Sequence, residues 1–383
     1  MRSYEGTYTW LRFRADLKAA PPSFWILLGG VIALHRQLRN APMPRTEARA
    51  MERSVVIEGL AARFALDGHA LTREHVRTHL EGGPVGAEVD AALLREVDDA
   101  FLVGQQRPIL ATEDPGAISP ELVLALHRSL TRHAEPRGQE GRWRQEGDLH
   151  GHGVPAELIG PFMEELCDWL NGAGLTAPAG DEALHHALLK SLLFELHLAW
   201  IAPVDLGQHR LAGAVSQSLL MQAGGDDLLA HLLAVHLLRS RPEYLRQVQQ
   251  AARGGGDPIP FMAFALRGLR RALDQLLGHM REAQLAGLWR DHVRSALDGE
   301  PGERSERQAL LLMALGEAPD PVQPSRIPSL SPALARAYAG LTSKTLQRDL
   351  EALTRIGILH RGSDGASVSK AAVMAFKAPV PEA

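Results

Sequence analysis

The sequence predicts a mainly α-helical protein with more than one compact unit. Nearly every stretch with a regular apolar pattern has the spacing of an amphipathic helix, and leucine and alanine are far commoner than β-branched residues. The chain has 383 residues, of which 45% are hydrophobic. That length is enough to bury a large core and exceeds one typical domain. We therefore expect two or three units with few strands.

Start and stop signals place the helices along the chain. The first helix follows a pair of prolines and ends near Asn40, and Gly224 and Gly225 stop the helix that begins after a turn at 201–213. A stretch rich in Gly, Glu and Arg, 298–308, is typical of a linker to a last unit. The predicted helices span 21–40, 46–66, 73–79, 87–103, 120–133, 155–171, 182–200, 211–223 and 260–297.

Composition narrows the class of protein. The net charge of -4 gives no global basic field, so nucleic-acid binding would need a local basic patch. Cys167 is the single cysteine, which excludes an internal disulfide and a cysteine-based zinc cluster and is typical of a reducing compartment. The longest apolar run, 24–34, is too short to span a bilayer. We therefore expect a cytoplasmic protein without a membrane partner.

The turn "IAPVDLGQHRLAG", residues 201–213, has the features of an anion-binding turn. Pro203, Gly207 and Arg210 lie between two apolar helical stretches. The free N–H groups and the dipole at the start of the second helix favour negative charge. We therefore assign anion or nucleotide binding to Gly207, Gln208, His209 and Arg210.

This turn resembles the signature of the Fic family, His-Pro-Phe-x-Asp/Glu-Gly-Asn-Gly-Arg-x-x-Arg. Pro203, Gly207 and Arg210 match it, and "SLLMQAG" matches the Leu-rich helix that follows. Upstream, "GRWRQEGDLHGHGVP" resembles the family's Gly-x-x-Arg segment and short β-hairpin flap, with Arg144 at the arginine position. The resemblance implies a helical Fic-like core. It also implies AMP transfer from ATP to a protein hydroxyl as the ancestral reaction, with magnesium as the metal.

The departures from the signature remove the reactive groups. Ala202 stands where the family has its general-base histidine, and Leu206 stands at the acidic magnesium ligand. A leucine cannot hold a hard cation. His209 replaces the second glycine and Gly213 the second arginine. The leading hypothesis is a degenerate, non-catalytic protein that binds a nucleotide, an anion or a protein in regulation.

Two alternatives stay open beside that hypothesis. The first is an active adenylyltransferase, with ATP and magnesium as cofactors, that uses substitute residues such as His209 or His150. The second is a nucleotide-sensing, DNA-binding regulator. Asp148, His150 and His152 fall in the predicted flap and would alternate onto one face of a strand, where they could hold a metal or supply a base. The other interpretation is that they are exposed loop residues.

The segment "SVVIEG" fits the inhibitory Ser/Thr-x-x-x-Glu-Gly/Asn pattern of the resembling family. Ser54, Glu58 and Gly59 occupy its defining positions. In that family the glutamate pairs with the second motif arginine, which is Gly213 here. Arg210 could take over that role, or Glu58 could simply face a helix interface. Histidines and tryptophans of the apolar helices, among them His197, Trp169 and Trp200, are interpreted as core residues.

The C-terminal segment resembles a winged helix-turn-helix, particularly in "KTLQRDLEALTRIGIL". The resemblance would place Ser343, Lys344, Gln347 and Arg348 toward the major groove of duplex DNA, with Arg361 on the wing near phosphate. We expect Asp349 and Glu351 to dilute this basic face. The alternative is a packing or dimerisation module, so a homodimer is left open.

These observations divide the chain into three predicted parts. Residues 1–110 form an N-terminal helical region with the inhibitory-type helix, 111–297 the Fic-like core, and 298–383 the winged helix-turn-helix. The sequence names no target protein and no DNA site.

Overall fold

The computed structural model describes residues 6–105, 117–146, 154–175, 182–297, 302–318 and 321–368. The chain divides into two compact units, Met1–Leu276 and Leu277–Ala383. The three-part division of the sequence stays a prediction. Among the helices that the structure describes, none combines the length and the hydropathy that crossing a bilayer requires.

The first unit is built from helices, as the apolar spacing predicts. A short 3-10 turn at Leu17–Ala19 precedes them. The helices are α1 Pro22–Asn40, α2 Arg45–Leu66, α3 Arg73–Leu80, α4 Ala91–Gln105, α5 Pro120–Thr131, α6 Ala156–Leu170, α7 Ala183–Ile201, α8 Gln208–Gln222, α9 Leu228–Arg239, α10 Arg241–Arg253 and α11 Ile259–Ala296, the last of which continues into the second unit.

The helix α7 forms the centre of this unit. Its leucines lie on every side of the helix and are buried, among them Leu188, Leu193 and Leu198. An isolated amphipathic helix would show one apolar face, so burial all round indicates a core helix. α8 packs against α7, and α2 packs against both α8 and α9. Gly59 lets α2 approach α9 closely, because a Cβ there would collide with the ring of His231.

The second unit contains the last helices and a hairpin. Its elements are α12 Glu303–Glu317, a 3-10 segment Pro324–Ser329, α13 Pro332–Tyr338, α14 Ser343–Ile356, β1 Leu359–Gly362 and β2 Gly365–Val368. β1 and β2 are antiparallel, with Leu359 opposite Val368, and Val322 forms a bridge to Ala366 at the outer edge of β2. The prediction of a linker at 298–308 is wrong from residue 303 onward, because Glu303 begins α12.

Gly365 is required where the bridge meets the hairpin. Its φ is +132°, and a Cβ there would lie 2.6 Å from the carbonyl carbon of Val322. A side chain at this position would therefore both strain the backbone and push the bridge away.

A buried carboxylate holds the second unit together. Asp349 of α14 is 1% exposed and accepts hydrogen bonds from Arg307 Nε (2.8 Å), Gln308 Nε2 (3.0 Å) and Tyr338 Oη (3.1 Å). These donors come from α12 and α13, so a single side chain joins three helices. The expectation that Asp349 dilutes an exposed basic face is wrong, because the side chain points inward and only Glu351 stays exposed on that face.

Replacing Asp349 by alanine should lower the stability of the second unit by about 3 kcal/mol or more, because buried donors, one of them charged, lose their acceptor. Hydrogen exchange of α12 and α14 in the full chain would measure this loss. Glu351→Ala, an acidic residue on the same helix but exposed, should change protection by less than about 0.5 kcal/mol. Equal protection in both variants would contradict the role given to Asp349.

Candidate functional site

The turn between α7 and α8 is a tightly fixed loop. Ala202 ends α7 in the left-handed region, with a φ of +47°, and Gly207 precedes α8 with a φ of +67°. Pro203 and Val204 between them are buried, whereas Asp205 is exposed. A left-handed alanine is strained, so the surrounding structure must hold it in place.

Arg144 holds the first half of this loop. Its backbone N–H donates to the carbonyl of Pro203 (2.8 Å), and its guanidinium donates to the carbonyls of Ala202 (2.9 Å) and Val154 (2.6 Å). The side chain is 3% exposed, and its donors here are directed to backbone carbonyls. Arg144 therefore fixes the first half of the loop through its backbone carbonyls.

His127 of α5 holds the second half. Its Nε2 lies 3.0 Å from the carbonyl oxygen of Leu206, and the backbone N–H of Gly141 donates to its Nδ1 at 3.1 Å. Because Nδ1 accepts, Nε2 carries the proton and donates to Leu206. Burial lowers the pKa of His127, which keeps the ring neutral as this arrangement requires.

The carboxylate of Asp67 occupies the N-terminus of α8. It accepts from the backbone N–H groups of His209 (2.7 Å) and Arg210 (3.3 Å) and from Arg210 Nε (2.9 Å). Asp67 immediately follows α2, so a distant part of the sequence supplies it. The N–H groups predicted to bind an external anion therefore already bind the chain's own carboxylate.

Arg210 has a second carboxylate partner in Glu96 of α4. Its guanidinium also lies over the ring of Phe64, 4.5 Å from the centroid, and the residue is 4% exposed. Burial alone would lower the pKa of Arg210, but attraction to Asp67 and Glu96 outweighs it and raises that pKa. This arginine is permanently charged and fully engaged inside the protein.

Arg63 of α2 lies beside Gly213, the position at which the signature has its second arginine. A Cβ on Gly213 would lie 3.0 Å from Nε of Arg63, an α2 residue that is 4% exposed. Arg63 NH1 donates to both carboxylate oxygens of Glu195 (2.8 and 3.1 Å). Burial alone would raise the pKa of Glu195, but Arg63 and His209, whose Nδ1 is 3.5 Å away, lower it. Glu195 therefore stays ionised and neutralises Arg63.

The two reactive positions of the signature carry apolar side chains in this loop. The side chain at position 202 is a methyl group, which cannot take a proton, and Leu206 offers its carbonyl to His127 rather than a carboxylate to a metal. Within the described ranges no group of three His, Cys, Asp or Glu side chains is placed to hold a metal ion. The residues present at this loop do not fit a magnesium site.

The inhibitory-type segment lies elsewhere on α2 and makes other contacts. Glu58 accepts from Arg239 at 2.5 Å in a half-exposed ion pair, and Ser54 accepts from Arg73 at 2.8 Å. The suggestion that Arg210 takes over as partner of Glu58 is wrong, since Arg210 is paired with Asp67 and Glu96.

The remaining candidates lie apart from this loop. The flap candidates Asp148, His150 and His152 fall outside the described residues. His197 is buried against the rings of Trp169 (5.1 Å) and Trp200 (4.9 Å), and burial lowers its pKa to about 4. It is a core histidine. Burial raises the pKa of the Cys167 thiol to about 12, so this thiol is not a nucleophile.

The candidates for DNA contact share one face of the second unit. Lys344 and Arg348 are exposed on α14, and Gln347 between them is half-buried. Arg361 of β1 donates to Gln347 Oε1 at 2.9 Å, so the hairpin and α14 present these side chains together.

Sequence reasoning missed the four charged residues that close the loop. Arg63 of α2, Asp67, which directly follows α2, and Glu96 of α4 lie more than a hundred residues before the signature. Glu195 lies close to the signature in sequence, near the end of α7. One signal in the sequence was Arg63, which stands in the otherwise apolar stretch "GLAARFAL". A buried charge there would need a partner of opposite charge.

Comparison with solved structures shows the class of fold. The structure is similar to Fic-1 from C. elegans, with 20% identity, a TM-score of 0.54, and 68% of this chain and 74% of that chain covered. It is also similar to a Fic family protein from Desulfovibrio desulfuricans G20, with 20% identity, a TM-score of 0.53, and 90% of this chain and 92% of that chain covered. No protein-family model matches the sequence.

The chain therefore has a Fic fold. The mainly helical architecture predicted from the sequence is confirmed. The Desulfovibrio structure covers more of this chain than the first unit contains, so the likeness extends into the second unit. At this level of identity the similarity establishes the fold, and the residues at the loop must carry any argument about activity.

Replacing Asp67 by alanine should lower the stability of the first unit by about 3 kcal/mol, because the helix start and Arg210 lose a buried acceptor. Denaturant unfolding of the full chain would measure the loss. Inorganic phosphate should restore part of it in Asp67→Ala and leave the wild type unchanged, because only in the variant do the backbone N–H groups of His209 and Arg210 lose the carboxylate that they bind.

Glu58→Ala is the matched control, since Glu58 is an acidic residue of the helix that Asp67 follows, but its ion pair is half-exposed. It should cost less than about 1 kcal/mol and show no response to phosphate. A wild-type protein that phosphate stabilises as strongly as the Asp67 variant would show that Asp67 does not close the site.

Proposed function

We propose that this chain is a non-catalytic Fic-fold protein whose motif helix is closed by its own carboxylate and which acts by binding. The observation that carries the proposal is the position of Asp67 on the N–H groups of His209 and Arg210. Ala202 and Leu206 support it independently, because they remove the base and the metal ligand.

The energetics favour the closed loop. General-base catalysis contributes roughly 10²- to 10⁴-fold, and the loss of a metal ion costs several further kcal/mol at the transition state. A phosphate would in addition have to displace Asp67 from a buried, doubly paired arginine, and breaking such a pair costs about 3–5 kcal/mol. These terms together predict a rate of transfer close to the uncatalysed background.

The purified protein should therefore transfer no AMP from labelled ATP, with or without magnesium, to itself or to proteins of a lysate. Ala202→His alone should stay inactive, because Leu206 and Asp67 still exclude metal and phosphate. An active Fic protein assayed in parallel would establish the sensitivity. Clear covalent labelling by the wild type would contradict the proposal and favour the adenylyltransferase alternative.

A second function, duplex DNA binding by the second unit, is favoured by one specific observation. Asp349 is turned into the core, so the exposed side of α14 carries Lys344, Arg348 and Arg355 against the single acid Glu351. The order of elements, from α12 through the Val322 bridge, α13 and α14 to the hairpin, is typical of a winged helix-turn-helix. Arg361 would then lie where a wing meets phosphate.

DNA binding should respond to these side chains in distinct ways. In the full chain, Arg348→Ala should reduce the preference among duplex sequences, and Arg361→Ala should weaken all sequences alike by about three- to tenfold. Fluorescence anisotropy over a salt series would measure both, with a shallower salt slope expected for Arg361→Ala. Arg326→Ala, an exposed arginine of the 3-10 segment, is the control and should bind as the wild type does.

Absence of binding to any duplex at low salt would leave the second unit as a packing or dimerisation module. It would not affect the proposal for the Fic fold, which the transfer assay tests separately.

A further inference from the structure

A cleft of about 590 Å³ lies between the N-terminal segment and the loop that joins α10 to α11. Residues between 12 and 21 form one wall, and residues 254–259 form the other. Small-molecule sites have volumes of about 300–1,000 Å³, so the cleft is large enough for one ligand of that kind. Two arginines and two aspartates line it together with apolar side chains.

The N-terminal wall presents its two arginines on the same side. The ring of Phe13 lies against the buried rings of Phe162 (6.0 Å) and His197 (5.8 Å), so this side chain faces the core. Arg12 and Arg14, on either side of it in sequence, are exposed and line the cleft. Alternate residues of an extended segment point to opposite sides. The anchored aromatic ring therefore directs both guanidinium groups outward into the cleft.

The opposite wall approaches this segment through two glycines in the left-handed region. Gly255 has a φ of +71° and Gly256 a φ of +86°. A Cβ on Gly256 would collide with the carbonyl of Trp10, and a Cβ on Gly255 would lie 3.7 Å from Nη2 of Arg12. Arg12 also donates from Nε to the carbonyl of Thr9 at 2.9 Å. The loop and the guanidinium group of Arg12 are therefore in fixed positions beside each other.

The aspartates of the cleft begin helical segments. Asp16 accepts from the backbone N–H of Ala19 at 3.3 Å, and Asp257 accepts from that of Ile259 at 3.0 Å. Each of these bonds uses one carboxylate oxygen. Within the described part of the chain neither Arg12 nor Arg14 forms an ion pair, although both share the cleft with these acids.

This balance of charge selects the kind of ligand. A ligand with one sign of charge would be attracted by one pair of side chains and repelled by the other. A zwitterion is attracted by both pairs, because its carboxylate and its ammonium group each find an opposite charge. Ala15, Ala19 and Ile259 add apolar surface, which favours a ligand with an apolar body.

We propose that this cleft binds a small zwitterion with an apolar body, of the class of an apolar α-amino acid or a short apolar peptide. Arg12 and Arg14 hold its carboxylate, and Asp16 or Asp257 holds its ammonium group. The inference is independent of the proposed function, because none of the residues that line the cleft belongs to the loop at 201–213.

Calorimetric titration of the full chain with three molecules that share one phenyl ring tests the proposal. L-phenylalanine carries both charges, 3-phenylpropionate lacks the ammonium group, and phenethylamine lacks the carboxylate. Phenylalanine should bind about three- to fivefold more tightly than either analogue, since each analogue loses an attraction at a partly exposed site. No binding of phenylalanine or of the dipeptide Phe-Phe at millimolar concentration would overturn the proposal, as would equal affinity for phenylalanine and either analogue.

The dipeptide arm distinguishes two sources of the ligand. Phe-Phe carries the same two charged groups farther apart, so tighter binding of the dipeptide identifies a peptide. Tighter binding of phenylalanine identifies a free amino acid. Both results support the zwitterion class.

Variants that remove one charge locate the two ends of the ligand. Arg14→Gln should weaken phenylalanine and 3-phenylpropionate about three- to fivefold and leave phenethylamine no weaker. Asp16→Asn or Asp257→Asn should weaken phenylalanine and phenethylamine instead. Asparagine still accepts the backbone hydrogen bond at a helix start, so these variants remain folded.

Arg270→Gln is the matched control for Arg14→Gln, since Arg270 is an exposed arginine of α11 that lies outside the cleft. It should bind phenylalanine as the wild type does. Equal affinity of wild type, Arg14→Gln and Arg270→Gln would place the ligand elsewhere and overturn the assignment.

The outcomes are separable from those of the transfer assay. Failure of phenylalanine and the dipeptide to bind, with no AMP transfer, overturns this inference alone. AMP transfer by the wild type overturns the proposed function and leaves this inference to the titrations.

Discussion

The contact between Asp67 and the start of α8 ties the first unit together. One carboxylate satisfies two backbone N–H groups and the Arg210 guanidinium, so it caps a core helix and neutralises a buried cation at once. Because α8 packs on α7 and α2, this cap fixes the relative positions of three helices. Unsatisfied N–H groups at a buried helix terminus cost free energy of folding. The loop can pack closely because the Asp67 carboxylate accepts hydrogen bonds from these groups.

The same loop is held in place by contacts to its backbone. Arg63 of α2 lies close to Gly213, and Glu195 balances its charge. The positions that hold the loop, Arg144 and His127, bind its backbone carbonyls and are indifferent to the side chains at 202 and 206. Structural contacts to the backbone therefore persist where the reactive side chains are absent, which is the basis for proposing a binding role.

The second unit uses a buried acid in a comparable way. Asp349 joins α12, α13 and α14 through Arg307, Gln308 and Tyr338. A carboxylate buried without such donors would be strongly destabilising, so its partners are as necessary as the acid itself. By turning inward, Asp349 also leaves the outer face of α14 more basic than the sequence suggests. Packing and surface charge in this unit are thus set by the direction of one side chain.

The sequence by itself determined the helices whose apolar spacing and capping residues act within a few neighbours, as in α3 and α5, which Thr72 and Ser119 cap. It also determined the loop at 201–213, whose proline and glycine constrain the backbone locally. Only the tertiary structure decided what that loop binds. Arg63 of α2 and Asp67, which follows α2, lie more than a hundred residues before the loop, and Asp349 turns inward for partners on other helices. Pairing between distant charges depends on how helices pack, and no local pattern in a single sequence records it.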